Sequence, residues 1–211
     1  MYLKSLENII KNKIQEQNKS FFVWLSHDVD WVRKDIIHSL YYTYKQKRFY
    51  HLKEIFFKEH RYWNFNKIME IEAKYGAKST FFFLHETMKP KLNEIRSFFK
   101  ARKRYSFNDK KIQAEIKNID KAGWEIGLHG SFLSYNNFNL MKMEKNILEQ
   151  IVGKKIEGIR QHYLNLNIPQ TWQFHNKLGL SYDSSFGYKN NVGYKDDLFY
   201  PFLPFDNNFT V

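Results

Sequence analysis

Short apolar runs alternate with amphipathic stretches along this chain. Five runs rich in aromatic and aliphatic residues predict buried strands: FFVWLS at 21–26, STFFFLHE at 79–86, WEIGLHGS at 124–131, IEGIRQHYL at 156–164 and LSYDSSFGY at 180–188. Between them apolar residues recur at helical spacing, and two of these stretches end at Gly76 and Gly123, as helices commonly do. The repeated β-α order predicts an α/β protein with a parallel sheet, either a barrel or a doubly wound layer.

The composition indicates one folded domain covering residues 1–211. Hydrophobic residues make up 43% of the 211 positions and aromatic residues 18%, which excludes a disordered chain. No low-complexity linker divides the sequence. The first and second strands are separated by more chain than a simple βα unit needs, so we predict a helical insertion at about residues 31–78.

The formal net charge of +12 fits an anionic partner, but lysine-rich solvated helices without a dedicated site are the plainer interpretation. No zinc-finger, helix-turn-helix or RNA-binding signature accompanies the charge, so we do not expect nucleic-acid binding. Peripheral association with an anionic surface is left open, and the sequence does not give the oligomeric state. No apolar run reaches the length of a membrane span and no signal peptide is visible, which predicts a cytoplasmic protein.

Ionisable residues gather at the ends of the predicted strands. A histidine ends each of the first four strands, and two aspartates that face the same way follow the first one; these residues are His27, His85, His129, His162, Asp28 and Asp30. The carboxyl ends of parallel strands share one edge of a sheet, where active sites of α/β proteins lie. We therefore expect these side chains to form one site.

Imidazole and carboxylate groups without cysteine suit zinc or another divalent first-row metal. Such a metal makes water a usable nucleophile near neutral pH. One aspartate of the pair can hold the metal while its neighbour accepts the proton of the water. The pattern thus predicts a metal hydrolase.

Four motifs, SHDVD, EIGLHGSFLSY, GIRQHYL and YDSSFGY, resemble in order and spacing those of the polysaccharide deacetylase (NodB-homology, carbohydrate esterase) superfamily. The HDVD and RQHYL forms are similar to a divergent bacterial branch of it. The resemblance implies a distorted (β/α) barrel. It also implies the metal-dependent removal of acetyl groups from N-acetylated carbohydrates, with Zn²⁺ as the expected ion.

The resemblance also implies roles for individual residues. Asp28 would be the catalytic base and Asp30 a metal ligand, with His129 as a second ligand. Arg160 would orient the base, and Tyr163 would lie beside the substrate groove.

Two departures from the family pattern change the expected site. Leu133 stands where the family has a second metal-binding histidine, and we expect His162 to fill that vacancy. The family's late histidine, which protonates the leaving amine, has no counterpart after His175. Either the chain is shorter than the full domain, or His27 or His85 serves as the acid. We accordingly predict a barrel that is incomplete at its C-terminus.

We also expect Trp31, His85, Ser131 and Asp183 to contribute to substrate binding, with Trp31 as the best candidate for stacking on a sugar ring. The missing second histidine keeps an alternative function open. In that alternative the chain is a catalytically degenerate deacetylase fold that binds a glycan or a protein partner without turnover.

Overall fold

The computed structural model describes residues 23–32, 36–47, 49, 62–88, 105–198, 201, 202 and 204. Part of the predicted insertion and most of the residues after 198 lie outside this range. The ten α-helices and strands within it are β1 Ser26–Val29, α1 Ile36–Gln46, α2 Phe65–Lys74, β2 Thr80–Leu84, α3 Lys110–Lys121, β3 Glu125–Gly130, α4 Phe138–Val152, β4 Gly158–Gln161, α5 Gln170–Lys177 and β5 Tyr182–Asp183. None of these helices is both long and apolar enough to cross a membrane.

The five strands form one parallel sheet in the order β1-β2-β3-β4-β5. The predicted α/β class is confirmed. A doubly wound sheet reverses its strand order at a central strand, so the sequential order rules out that alternative for the described strands. The sheet is open over these residues, with β1 and β5 at its two edges, and the distorted barrel, incomplete at its C-terminus, stays a prediction.

One face of the sheet packs against helices. Alternate residues of β2, β3 and β4 join buried residues of α3 and α4 in the main core, which includes Phe81, Phe83, Leu128, Ile159, Ile112, Ile116 and Leu148. Because right-handed crossovers between sequential parallel strands keep the helices on one side, the opposite face of the sheet is left for other contacts.

Helix ends follow from capping residues that the sequence shows directly. The Asp109 carboxylate accepts a hydrogen bond from the backbone N–H of Lys111 at 2.9 Å and begins α3. Gly76 and Gly123 lie just past α2 and α3 with φ of +67° and +86°, the left-handed region that favours glycine. The predicted glycine ends of both helices are confirmed.

The other face, which we call the inner face, carries rings packed over glycines. Phe82 of β2 lies over Gly127 of β3, and Tyr182 of β5 lies over Gly158 of β4. An added Cβ would come within 2.4 Å of the Phe82 ring at Gly127 and 2.1 Å of the Tyr182 ring at Gly158. These two glycines therefore make the space that the rings fill.

Trp24 joins the two edges of the sheet across the inner face. Its ring centroid lies 6.0 Å from that of Phe82 and 5.5 Å from that of Tyr182. In a flat sheet β1 and β5 would be roughly 19 Å apart, at about 4.8 Å per strand spacing. The described sheet is therefore strongly curved. Trp24 itself precedes β1, which begins at Ser26 rather than at the start of the apolar run as predicted.

On the helix side, one carboxylate collects three hydrogen bonds. Glu72 of α2 is buried and accepts from His27 Nε2 at 2.7 Å, Ser79 Oγ at 2.8 Å and Trp124 Nε1 at 2.5 Å. Burial alone would raise the pKa of Glu72, but these hydrogen bonds, that from His27 first, hold it below its usual 4.5. Glu72 thus ties α2 to β1 and to the residues that begin β2 and β3.

We predict that Gly158→Ala destabilises the protein by about 2–3 kcal/mol, because Tyr182 cannot stay beside the new methyl group. Denaturant unfolding measures the loss. Gly187→Ala is the matched control, since its Cβ would lie 3.5 Å from Leu164, an ordinary contact, and should change stability by less than about 0.5 kcal/mol. Equal stabilities of the two variants would contradict the packing described for the inner face.

We predict that Glu72→Gln lowers the free energy of unfolding by about 1–3 kcal/mol at pH 7. The lowered pKa of Glu72 means that its contribution is present above pH 4.5 and is lost as the pH falls through the folded-state pKa. The gap between the variant and the wild type should therefore narrow below pH 4.5. Glu70→Gln, at an exposed position of the same helix, is the control. A gap independent of pH would argue against a buried carboxylate at Glu72.

Candidate metal centre

Three potential metal ligands converge where β1, β3 and β4 end. Asp30 follows β1, His129 is the penultimate residue of β3, and His162 follows β4. Asp30 Oδ1 lies 3.4 Å from His129 Nε2 and 3.3 Å from His162 Nδ1, and the two imidazole nitrogens are 3.1 Å apart. Both histidines are almost fully buried, whereas Asp30 is half-buried. Among the described residues these three form the only such cluster.

The spacing of the three atoms fits a tetrahedral ion. A zinc ion with bonds of about 2.0–2.1 Å separates its ligand atoms by roughly 3.3–3.4 Å. The three measured separations, 3.1, 3.3 and 3.4 Å, lie close to that value. The donor set of two imidazoles and one carboxylate is also one that zinc accepts while keeping a fourth position open.

The hydrogen bond of His129 leaves its inward nitrogen available to a metal. His129 Nδ1–H donates to the carbonyl oxygen of Arg160 at 2.7 Å, so Nε2 carries the lone pair and faces Asp30 and His162. A single N–H on His162 Nδ1 would satisfy one of its two acceptor neighbours. A cation among the three atoms would satisfy all of them.

A second carboxylate lies beside this cluster and is held by an arginine. Arg160 of β4 donates to Asp28 Oδ1 at 2.8 Å, to Ser26 Oγ at 2.9 Å and to Ser184 Oγ at 3.0 Å. Its guanidinium carbon also lies 4.7 Å from the centroid of the Phe82 ring. With its donors directed in this way, Arg160 fixes the orientation of Asp28 from across the curved inner face.

The cluster and Asp28 open into one cavity. Its volume is about 250 Å³, and it is lined by Asp28, Asp30, His129, Gln161, His162, Tyr163 and Leu164. The turn after His162 is unusual, because Tyr163 and Leu164 have φ of +58° and +51° without being glycine. Such residues cost about 1–2 kcal/mol each and gather at functional sites. The turn leaves Tyr163 half exposed, with its ring 4.3 Å from that of His162.

Two predicted residues lie away from this cavity. His27 points to the opposite face from Asp28 and donates to Glu72, because successive strand residues alternate between faces. His85 is buried and stacks on Phe107 with centroids 4.7 Å apart. His27 and His85 are thus not among the lining residues, which corrects the expectation that one of them serves as the acid there.

The remaining predicted substrate contacts also lie outside the cavity lining. Ser131 is fully buried and is not among the lining residues. Asp183 accepts hydrogen bonds from Trp172 Nε1 at 2.9 Å and from the backbone N–H of Ser185 at 2.8 Å, and so supports α5 and the chain after β5. Trp31 is half-buried just past Asp30. Of the predicted substrate contacts, only Tyr163 lines the cavity.

Sequence analysis missed Gln161, which lines the cavity between the two motif residues Arg160 and His162. Its amide accepts from Ser134 Oγ at 3.0 Å and approaches His175 Nε2 at 3.2 Å, in a fully buried setting. The one signal in the sequence is that a glutamine lies between two motif residues at the end of a predicted buried strand. A buried glutamine there needs several hydrogen-bond partners. Gly130 alongside is required, because a Cβ there would meet the Gln161 amide at 2.4 Å.

No protein-family model matches the chain, and no curated protein matches it in sequence. Solved structures similar in fold include a CE4 family pseudoenzyme from Bacillus anthracis, at 15% identity over 77% of this chain and 42% of that one, with a TM-score of 0.45. A candidate polysaccharide deacetylase from Mycobacterium smegmatis is 16% identical over 77% of this chain and 50% of that one, with a TM-score of 0.46. The deacetylase PplD from Streptococcus pyogenes, solved in complex with acetate, is 14% identical over 80% of this chain and 59% of that one, with a TM-score of 0.44.

This chain spans half or less of the length of the first two of these proteins. By their descriptions, two of these three similar structures are deacetylases and one is a CE4 family pseudoenzyme.

Proposed function

We propose that this protein is a metal-dependent deacetylase that removes N-acetyl groups from a carbohydrate. The observation that carries the proposal is the convergence of Asp30, His129 and His162 at ligand spacing, beside an Asp28 carboxylate held by Arg160. These three residues would hold a divalent metal, with Zn²⁺ as the best match to the donor set. For residues 1–211 we propose the distorted (β/α) barrel, incomplete at its C-terminus.

The residues of the cavity divide the chemistry between them. A divalent ion held there would polarise the acetyl carbonyl and make a water molecule more acidic. Asp28 takes the proton from the attacking water as general base, and Arg160 keeps its carboxylate directed into the cavity. His129 and His162 hold their nitrogens inward because neighbouring backbone and rings fix both imidazoles. Tyr163 forms an exposed aromatic wall on which a sugar ring can rest.

The size of the cavity and the charge are compatible with a carbohydrate substrate. A cavity of about 250 Å³ accommodates an acetylated sugar residue. The net charge of +12 favours an anionic glycan or an anionic surface as the setting.

We predict that the protein binds one zinc ion and that Asp30→Asn or His162→Ala weakens binding at least about 100-fold, because each removes one of three ligands. Isothermal titration with zinc, together with metal analysis after dialysis, measures it. Tyr163→Phe is the control, since it keeps the ring against His162 but is not a ligand. Unchanged metal content in the His162→Ala protein would reject His162 as a ligand.

We predict that Asp28→Asn keeps zinc affinity but lowers acetate release from an N-acetylated oligosaccharide by roughly 10²–10⁴-fold, because a general base is lost. Acetate is quantified in a coupled assay. Full activity in this variant would remove Asp28 from the mechanism. Zinc binding by the wild type without acetate release from any N-acetylated glycan would favour the degenerate, glycan-binding alternative, which Leu133 at the place of the family's second histidine keeps open.

A further inference from the structure

Two buried carboxyl groups hold the loop that follows β3. Glu144 of α4 is fully buried and its Oε2 accepts from the backbone N–H of Ser131 at 3.2 Å. Glu86, just after β2, is also buried, and its Oε2 accepts from the N–H of Phe132 at 3.0 Å. Carboxyl groups from two separate elements thus bind consecutive amides of one short loop.

This loop links the two histidines of the metal centre. It leaves β3 directly after His129 and Gly130. Ser134 Oγ donates to the side chain of Gln161, the residue before His162, at 3.0 Å. The Phe132 ring packs at 5.7 Å against Tyr163, the residue after it. A displacement of the loop would therefore alter how His129 and His162 face each other.

Two causes favour the protonated form of Glu144, namely its burial and the charge of nearby Glu86. Burial raises the pKa of Glu144 to about 8, and the charge of Glu86 adds to the effect. Among the groups around Glu144, Ser131 and Ser134 carry no charge, and the adjacent Lys145 of α4 is paired with Glu149. Glu144 therefore keeps its proton at neutral pH and acts as a neutral carboxylic acid.

We propose that Glu144 and Glu86 are positioning residues for the metal centre, holding the loop after β3 so that His129 and His162 keep their spacing. The effect of these two residues on metal binding rests on the proposed function. The protonated state of Glu144 does not. No sequence motif marks either residue, and neither lines the cavity.

Zinc titration at pH 7 tests the positioning role. Glu144→Gln supplies a neutral group of the same shape and should keep zinc affinity within about threefold of the wild type. Glu144→Ala removes the acceptor and should weaken zinc binding by roughly 10-fold, the effect expected for a residue behind a metal ligand. Glu157→Gln, at an exposed position, is the control for a change of charge. Wild-type affinity in the Glu144→Ala protein would overturn the proposal.

The pH dependence of stability tests the protonated pair in metal-free protein. The raised pKa means that the folded state retains a proton that the unfolded chain releases near pH 4.5, so stability from this group falls as the pH rises towards 8. Glu144→Gln should remove that fall. The melting temperature of the variant should therefore rise relative to that of the wild type as the pH increases from 5.5 to 8.5. Glu86→Gln should reduce the fall by removing the facing charge.

The two measurements fail separately. If the wild type binds no zinc, the metal centre of the proposed function is wrong. The melting curves still show whether Glu144 is protonated. If Glu144→Gln and wild type lose stability in parallel between pH 5.5 and 8.5, Glu144 is not a neutral acid and that part of the inference is wrong. If Glu144→Ala does not fold, zinc titration of a Glu86→Ala protein, which loses the acceptor of the Phe132 N–H, decides the positioning role.

Discussion

The alternation of side chains along parallel strands decides which residues of this protein can meet. In β1 the odd position His27 points to the helices and binds Glu72, while Asp28 points to the inner face and binds Arg160. These two consecutive residues thus serve different purposes. His27 ties a helix to the sheet, and Asp28 faces the cavity. The contacts of Asp30 with His129 and His162 depend on this separation, since Asp30 lies on the same side as Asp28.

Curvature of the sheet supplies the second requirement. Arg160 on β4 reaches Asp28 on β1, and Trp24 reaches Tyr182 on β5, although two or three strands lie between them. The curvature is compatible with bulky rings inside only because glycine occupies the facing positions of β3 and β4. The same small residues therefore serve the packing of the inner face and, through it, the approach of Arg160 to Asp28.

The parts of the site that could be read from the sequence are those that depend on strand order and periodicity. Asp30 and His129 belong to motifs at strand ends, and His162 Nδ1 lies 3.3 Å from Asp30. That His162 replaces the missing histidine as a metal ligand stays a prediction. His27 and His85 were predicted at the site because they also follow strands. For His27 the alternation that unites Asp28 and Asp30 already indicates the opposite face. For His85 the stacking partner Phe107 lies 22 residues away, and no local pattern predicts that contact.

Supporting residues were harder to predict, since their roles depend on tertiary contacts. Glu72 and Glu144 look like the polar positions of ordinary amphipathic helices, and only the fold reveals that both are buried and accept backbone or side-chain hydrogen bonds. The most direct measurement is anomalous diffraction at the zinc edge from crystals grown with zinc. The account predicts one strong peak bonded to Asp30 Oδ1, His129 Nε2 and His162 Nδ1 at about 2.0–2.2 Å. A peak held by other side chains, or none at these three in zinc-saturated crystals, would contradict it.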